Sequence, residues 1–300
     1  MSKVREIFYI FANAFEISAI KLSMEKLKVL FVNQEMLPFL PESNISTVCR
    51  RLPQGIQENG KEIRVFLPRF GVINERRHQL HEVIRLSGMN IIIDDTDHPL
   101  IIKVASIQAA RMQVYFIDND DYFKRKSPFG VEEGKFFEDN DERAIFYARG
   151  VLETVKKLGW VPDVIHCHGW FSALMPLYLK KFYHDDPHFT DTKIVTSLYN
   201  DHFEGELSKK LHKKLQYDNF VGEDINLLKK PDYTNLMKTA INHSDAVIIA
   251  EDELDENLAH HLEATNKPFM PKPSDGSFVA DYSMLYERVA SENSILIDEE

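Results

Sequence analysis

Hydrophobic positions along this chain gather into short unbroken runs rather than alternating with polar ones. Lys28-Val29-Leu30-Phe31-Val32-Asn33 is the first such run. A run of this kind is expected of a central parallel strand buried on both faces. Glu62–Pro68, Val164-Ile165, Lys193–Leu198 and Asp245–Ala250 repeat the pattern, the last of these as the final strand. Helical spacing fills the intervals. Ser43 or Asn44 can cap a helix reaching Glu58, and Asn59-Gly60 ends it. Pro53 falls inside and predicts a kink or break. Asp139-Asn140-Asp141-Glu142 opens a second helix to about Leu158, its acidic start suited to the helix dipole. Asp232–His243 and Glu251–Glu263 read as two more. Strand and helix in alternation predict an α/β fold, a Rossmann-like, doubly wound and mostly parallel sheet. Residues 28–68 form its first right-handed βαβ unit.

Two stretches depart from that rhythm. From His78 to Ile117 the runs Gln79–Leu86, Asn90–Asp94, Pro99–Ser106 and Gln113–Asp118 are β-rich, with little helical periodicity between them. They predict an inserted β-meander or hairpin and hence a mixed sheet. Asn119–Gly134 is a polar loop of uncommon length, either functional or a plain insertion. Beyond residue 262 the chain changes again. Asn266–Asp275 has the proline content of a linker, and Tyr282–Ser291 can form one more helix with Met284, Leu285 and Val289 on one side. The expected division is an extension over 1–23, a Rossmann-like domain over 24–262, and a linker with a C-terminal helix over 263–300. That helix is expected to cross back and pack on the sheet.

Composition narrows the function classes. A net charge of −11 argues against partners that are nucleic acids or anionic membranes. No apolar run approaches the roughly 20 residues that span a bilayer. Met1–Ser23 is interrupted by Glu6 and Glu16 and lacks a convincing cleavage pattern, so it reads as a frayed helix or an extension ahead of a start at Met24. Two cysteines, Cys49 and Cys167, read as reduced thiols in a cytoplasmic protein. Metal-ligand spacings, GxGxxG and GxxxxGK[ST] are all absent, so no metal and no cofactor is expected.

The chemistry concentrates at Asp163–Trp170 and the segment that follows. A strand ends there, Gly169 permits a sharp turn, and a helix is expected from Phe171 to Phe182. Ligands of open parallel sheets bind outside the carboxyl ends of the strands. His166 and His168 sit at such an end beside Trp170, and a helix N-terminus behind them would favour an anionic or polyhydroxylated ligand.

The order of several motifs resembles the glycogen/starch synthases, retaining ADP- or UDP-glucose glucosyltransferases with a two-domain GT-B fold. They are Glu35-Met36-Leu37-Pro38-Phe39, then Leu52-Pro53, Arg64–Phe70, Phe116–Phe123, Asp139-Asn140 with Arg143, Asp163–Leu179, Asn200 with Gly205, and the strand at Asp245. The resemblance covers about Lys28 to Leu258, the N-terminal lobe of that fold. It implies transfer of glucose from a nucleotide sugar such as ADP-glucose to the non-reducing end of an α-1,4-glucan or maltooligosaccharide. Glu35, Asp139, Asn140, Arg143, His168, Trp170 and Asn200 are the positions it suggests for substrate, with His168 the single candidate for a catalytic part. Simpler roles stand beside these: Glu35 as a helix cap, Asp139 and Arg143 as a cap and ion pair, Trp170 as core, His168 as a satisfied turn residue, Asn200 in an Asx turn.

Three departures stand out. The family's Lys-x-Gly-Gly-Leu falls on Pro41-Glu42-Ser43-Asn44-Ile45, its His-Asp-Trp reads His168-Gly169-Trp170, and its His-Asn reads Tyr199-Asn200. A non-glycine pair restricts close backbone approach to a phosphate, and Glu42 has the wrong charge. The sequence therefore predicts an acceptor-side lobe, weak or inactive alone. It acts either with a donor-domain protein or a homodimeric partner, or as a non-catalytic glucan-binding or regulatory module.

Overall fold

A computed structural model describes residues 26–130 and 135–295. Met1–Ser23, with the expectations attached to it, lies outside them. Ten strands form one sheet: β1 Lys28–Asn33, β2 Glu62–Pro68, β3 His81–Glu82, β4 Met89–Ile93, β5 Thr96–Ile107, β6 Met112–Asp118, β7 Val164–His168, β8 Lys193–Leu198, β9 Ala246–Ile249 and β10 Phe269–Met270. Their order is β10-β9-β8-β7-β1-β2-β6-β5-β3, with β4 paired to β5. Every pairing from β10 through β6 is parallel. β5 runs antiparallel to β6, β3 and β4, so the meander expected near residues 78–117 makes the sheet mixed. Gln79–Leu86 contributes only the two residues of β3 to it.

Apolar runs explain the central strands. Val29 to Val32 are fully buried, as are Val65 to Leu67. Burying each such side chain is worth about 1.5–3 kcal/mol. The longer helices are α1 Asn44–Glu58, α2 Asn140–Leu158, α3 Tyr233–His243, α4 Glu256–Ala264 and α5 Phe278–Ile295. On one face, α5 lies against α1 and β7, where the Tyr286 ring meets Phe31. On the other, α2 approaches closely enough that a Cβ on Gly150 would sit 3.0 Å from Ile117.

Several elements differ from expectation. Pro53 does not break α1, which continues through it. Leu52, Pro53 and Ile56 are buried on one side of that helix, and their burial outweighs the ~3 kcal/mol cost of an interior proline. The helix expected from Phe171 to Phe182 is irregular. It is a 3₁₀ turn at Trp170–Ser172, one α turn at Met175–Leu177 and wide π turns over Tyr178–Phe182. Pro176 lacks the N–H that a continuous ladder needs. Asp245–Ala250 is not the last strand, because the expected linker adds β10 to the sheet edge. α4 begins at Glu256, capped by Asp255, rather than at Glu251. α5 is longer than expected and does cross back onto the sheet. It buries Tyr282, Tyr286 and Val289, while Met284 is 60% exposed, so its inner face is aromatic and rotated from the one expected. Among the described residues, no helix is long and apolar enough to cross a membrane.

Candidate functional site

Chain direction across the sheet reverses at β1. The chain goes β1-β2-β6 one way and then β7-β8-β9 the other. Such a switch point leaves a crevice between the loops that follow the two central strands. Here those loops begin at Gln34 and Gly169.

The two loops are stitched together. The Gln34 N–H donates to the His168 carbonyl at 2.9 Å, and the Phe171 N–H donates to Gln34 Oε1 at 2.9 Å. Gly169 has φ +83°, and a Cβ there would lie 2.7 Å from Gln34 Cβ. Backbone conformation and space both require glycine. The replacement of the family's aspartate by Gly169 is thus built into how β7 meets β1.

Glu35 is half-buried and accepts the Ser43 hydroxyl at 2.6 Å and the Gln34 amide at 3.2 Å. Ser43 is the N-cap of α1. Its oxygen accepts the Ser46 N–H at 2.9 Å, and the Ser46 hydroxyl oxygen accepts the Ser43 N–H at 2.7 Å. Residues 43–46 are therefore a capping box, in which the Ser43 and Ser46 N–H groups are both engaged, in place of an open glycine turn. Asn44 donates to Glu251 at 2.8 Å, and Asn200 donates through its side chain to the Glu253 carbonyl at 3.0 Å. Glu35, Asn200 and Glu251 thus meet at the tips of β1, β8 and β9, with Asn200 exposed.

His168 lies beneath this rim, with no exposed surface. Its Nδ1 is 2.8 Å from the Tyr199 hydroxyl, its Nε2 has no partner, and burial pulls its pKa down to about 3. The imidazole is neutral at any ordinary pH. His166 is its neighbour, with ring centroids 3.9 Å apart, and bonds Tyr286 and Ser197. Burial, then His168, lowers its pKa as well. Trp170 is 2% exposed and packs against Phe129, Phe136 and Phe203. Its backbone N–H donates to Asp201 at 2.8 Å, and the Tyr233 hydroxyl donates to the other Asp201 oxygen at 2.8 Å. Burial, opposed by these bonds and aided by Glu35, raises the Asp201 carboxyl to about 6.

Asp139, Asn140 and Arg143 form a second group at the start of α2. Asp139 makes no side-chain cap. Arg125 instead grips it with two guanidinium nitrogens. The Asn140 amide donates to the Phe129 carbonyl at 2.7 Å and its oxygen accepts from Arg143. Arg143 is fully buried. It donates to the Tyr122 carbonyl at 2.8 Å and lies 5.3–5.7 Å from the rings of Phe70, Phe123, Phe137 and Phe171. Burial, then Arg125, lowers its pKa to about 9. All three hold the stretches 119–130 and 135–139 against the aromatic cluster that also covers Trp170.

Two groups thus emerge from the residues singled out in the sequence. Glu35 and Asn200 face the crevice, while Asn140, Arg143, His168 and Trp170 are buried around an aromatic core. Gln34, Ser43, Asp201 and Glu251 complete the rim; of these the sequence alone points to Asp201, beside Asn200, and to Ser43 as a cap. Gln34, Asp201 and Glu251 lie within three residues of a strand's carboxyl end, and that position is the signal that marks them. Among the described residues, no cluster of metal-ligating side chains occurs.

Residues 28–264 match the family model of the starch synthase catalytic domain. Glycogen synthase of Chlorobium limicola is 37% identical over 221 residues, 73% of this chain and 44% of that protein. Glycogen synthase of Pelodictyon phaeoclathratiforme is 34% identical over 242 residues, 80% of this chain and 48% of that protein. Among solved structures, the catalytic domain of starch synthase IV from Arabidopsis thaliana, bound to ADP and acarbose, superimposes with a TM-score of 0.67 at 18% identity. That match covers 86% of this chain and 53% of the other, and it carries the GT-B fold alone. The chain spans about half the length of the curated relatives it matches. With its strand-tip crevice, its order of motifs and these matches taken together, the chain belongs to the starch synthase catalytic-domain family.

Proposed function

We propose that this chain is the acceptor-side lobe of a glycogen synthase-type glucosyltransferase. It holds an α-1,4-glucan at the crevice and transfers glucose from ADP-glucose only when a donor-binding lobe completes the site. The setting is the cytoplasm, where the buried free thiols Cys49 and Cys167 stay reduced.

One observation carries the reading: the capping box at residues 43–46. Phosphate is held by backbone N–H groups free to point at it. Here the Ser46 N–H is taken by Ser43, whose hydroxyl is taken by Glu35. Glu35, Glu251 and Asp201 add negative potential at the rim, which repels a diphosphate and suits neutral hydroxyls as donors. Asn200 and Asn44 add carboxamides of the kind that pair with sugar hydroxyls. One lobe also leaves the donor open to water, which a transfer reaction must exclude.

The second reading is a non-catalytic glucan-binding module, and it rests on the same capping box. Calorimetry with maltoheptaose and with ADP-glucose separates the outcomes. Binding of glucan without ADP-glucose supports the acceptor lobe, and ADP release on adding a donor lobe then distinguishes it from the module. Tight ADP-glucose binding by the chain alone overturns the reading, and so does the failure of glucan to bind.

A further inference from the structure

Gly169 carries no side chain to cap the turn at Trp170–Ser172. The caps come from neighbouring loops. Gln34, after β1, accepts the Phe171 N–H, and Asp201, after β8, accepts the Trp170 N–H at 2.8 Å. The second Asp201 oxygen accepts the Tyr233 hydroxyl at 2.8 Å, and that hydroxyl also lies 2.7 Å from the Tyr199 carbonyl oxygen. One carboxylate therefore joins three segments: the turn after β7, the loop after β8 and the first turn of α3. The carboxylate missing at residue 169 is returned to the same turn from residue 201.

Aromatic rings close this corner around a half-buried Asp201. Phe203 sits edge-on to Trp170, with centroids 4.9 Å apart, and edge-on to Tyr233 at 5.8 Å. The His202 ring lies 4.2 Å from that of Tyr233. Asn200, directly before Asp201, is exposed on the rim and donates to the Glu253 carbonyl. The backbone on one side of Asn200 is thus anchored by Asp201, and its side chain is anchored by the loop after β9.

We propose that Asp201 is the positioning residue of the crevice: its carboxylate holds the loop after β8 on the turn after β7, and so sets Asn200 where a glucan meets the rim. The part played by Asn200 rests on the acceptor-lobe reading; the tie itself does not. A carboxamide can replace the carboxylate in this geometry. Its oxygen accepts the Trp170 N–H, its NH₂ donates to the Tyr233 oxygen, and the Tyr233 hydroxyl turns to the Tyr199 carbonyl. The two groups then differ in charge alone. Glu35, from the loop after β1, and Tyr233 of α3 face Asp201, with Glu251 and Asp255 beyond Tyr233 and His202 stacked beside it. Burial, with Glu35 adding to it, holds the tied carboxyl at about 6 against an ordinary 3.8. Opening of the tie to water releases a proton, and so becomes easier as pH rises through 6.

The test is amide hydrogen exchange on the intact chain, read at Trp170, with calorimetric titration of maltoheptaose beside it. Asp201→Ala is expected to lower the Trp170 protection factor about tenfold at pH 5, the loss of one charge-assisted contact. Asp201→Asn is expected to keep it. Between pH 5 and pH 7.5 the wild-type protection factor is expected to fall about tenfold, the ratio set by the tied and open carboxyl. Asp201→Asn is expected to show no such fall, and His202→Gln to follow the wild type. At pH 5 maltoheptaose is expected to bind Asp201→Asn as it binds the wild type, and Asp201→Ala about tenfold more weakly. Melting curves check that each variant is folded. The proposal is overturned if Asp201→Ala leaves Trp170 as protected as in the wild type, or if Asp201→Asn behaves like Asp201→Ala. It is also overturned if the fall with pH persists in Asp201→Asn or disappears in His202→Gln, or if maltoheptaose binds Asp201→Ala with wild-type affinity. Failure of maltoheptaose to bind the wild-type chain overturns the acceptor-lobe reading, and exchange at Trp170 then decides the tie by itself.

Discussion

His166 Nδ1 lies 2.6 Å from the Tyr286 hydroxyl, across 120 residues of chain. The contact fastens α5 to the central strand β7. Because neutral imidazole has one donor and one acceptor, Tyr286 on one nitrogen and Ser197 on the other satisfy the ring completely. Tyr286→Phe keeps the ring packing on Phe31 and leaves one buried nitrogen unpaired. The expected loss is about 1–3 kcal/mol. It would show as a lower urea midpoint with an unchanged slope, and an unchanged midpoint would refute the pinning.

Gly169 gives a sharper test. Restoring the aspartate of the family pattern, Gly169→Asp, places a Cβ at φ +83° and 2.7 Å from Gln34. The expected outcome is loss of soluble folded protein, or a melting temperature lower by several degrees. Gly169→Ala should show a milder version of the same defect. A stable Gly169→Asp protein with wild-type spectra would mean that the loops can separate.

His168 predicts the acid limit of the fold. Its pKa is about 3 in the folded chain and near 6.5 when unfolded. A lowered histidine means that the unfolded state takes up the proton first. Its contribution is therefore complete above about pH 6.5 and is lost as pH falls toward 3. At pH 5 the loss amounts to roughly 2 kcal/mol. Denaturation series should show lower stability at pH 5 than at pH 7, His166 adding to the His168 loss and Asp201 offsetting part of it. In His168→Gln the difference should shrink, and a difference as large as wild type would count against the assignment.

Asp201 has the opposite sign. Its folded pKa of about 6 lies above the ordinary 3.8, so the folded state holds the proton more tightly. This favourable contribution is present below about pH 3.8 and is lost as pH rises through 6. Asp201→Asn should therefore gain stability relative to wild type between pH 4 and pH 7. Carboxyl chemical shifts would locate the titration directly, and a midpoint near 4 would remove the basis for the prediction.

Lys214 ties the segment after β8 to the start of α2. Its ammonium lies 2.6 Å from Asp141 and 2.7 Å from Glu142, and Asp141 has no exposed surface. Lys214→Met strands a buried carboxylate and is expected to cost about 3–5 kcal/mol. The double variant Lys214→Met, Asp141→Leu should recover most of that loss, as a mutant cycle would measure. No recovery would mean that the pair's individual contacts, not its charge balance, hold the segment.

Local order along the chain was legible where one interaction dominates. The runs at residues 28–33, 62–68 and 193–198 became strands at those bounds, because unbroken apolar sequence has no stable place except the middle of a parallel sheet. Ser43 before α1 and Asn59 after it were equally plain, since caps depend on neighbours a few residues away. The motif order that names the family was legible for the same reason. What the sequence could not decide was which side of a boundary a polar residue takes. His168 and Arg143 carry surface-type chemistry, yet both are fully buried. Their partners, Tyr199, Tyr122 and a ring of phenylalanines, arrive from distant segments. The inner face of α5 and the strand β10 are likewise products of long-range packing. Spacing within a segment sets local structure. Burial is a property of the assembled whole, and only the closed fold determines where water is excluded.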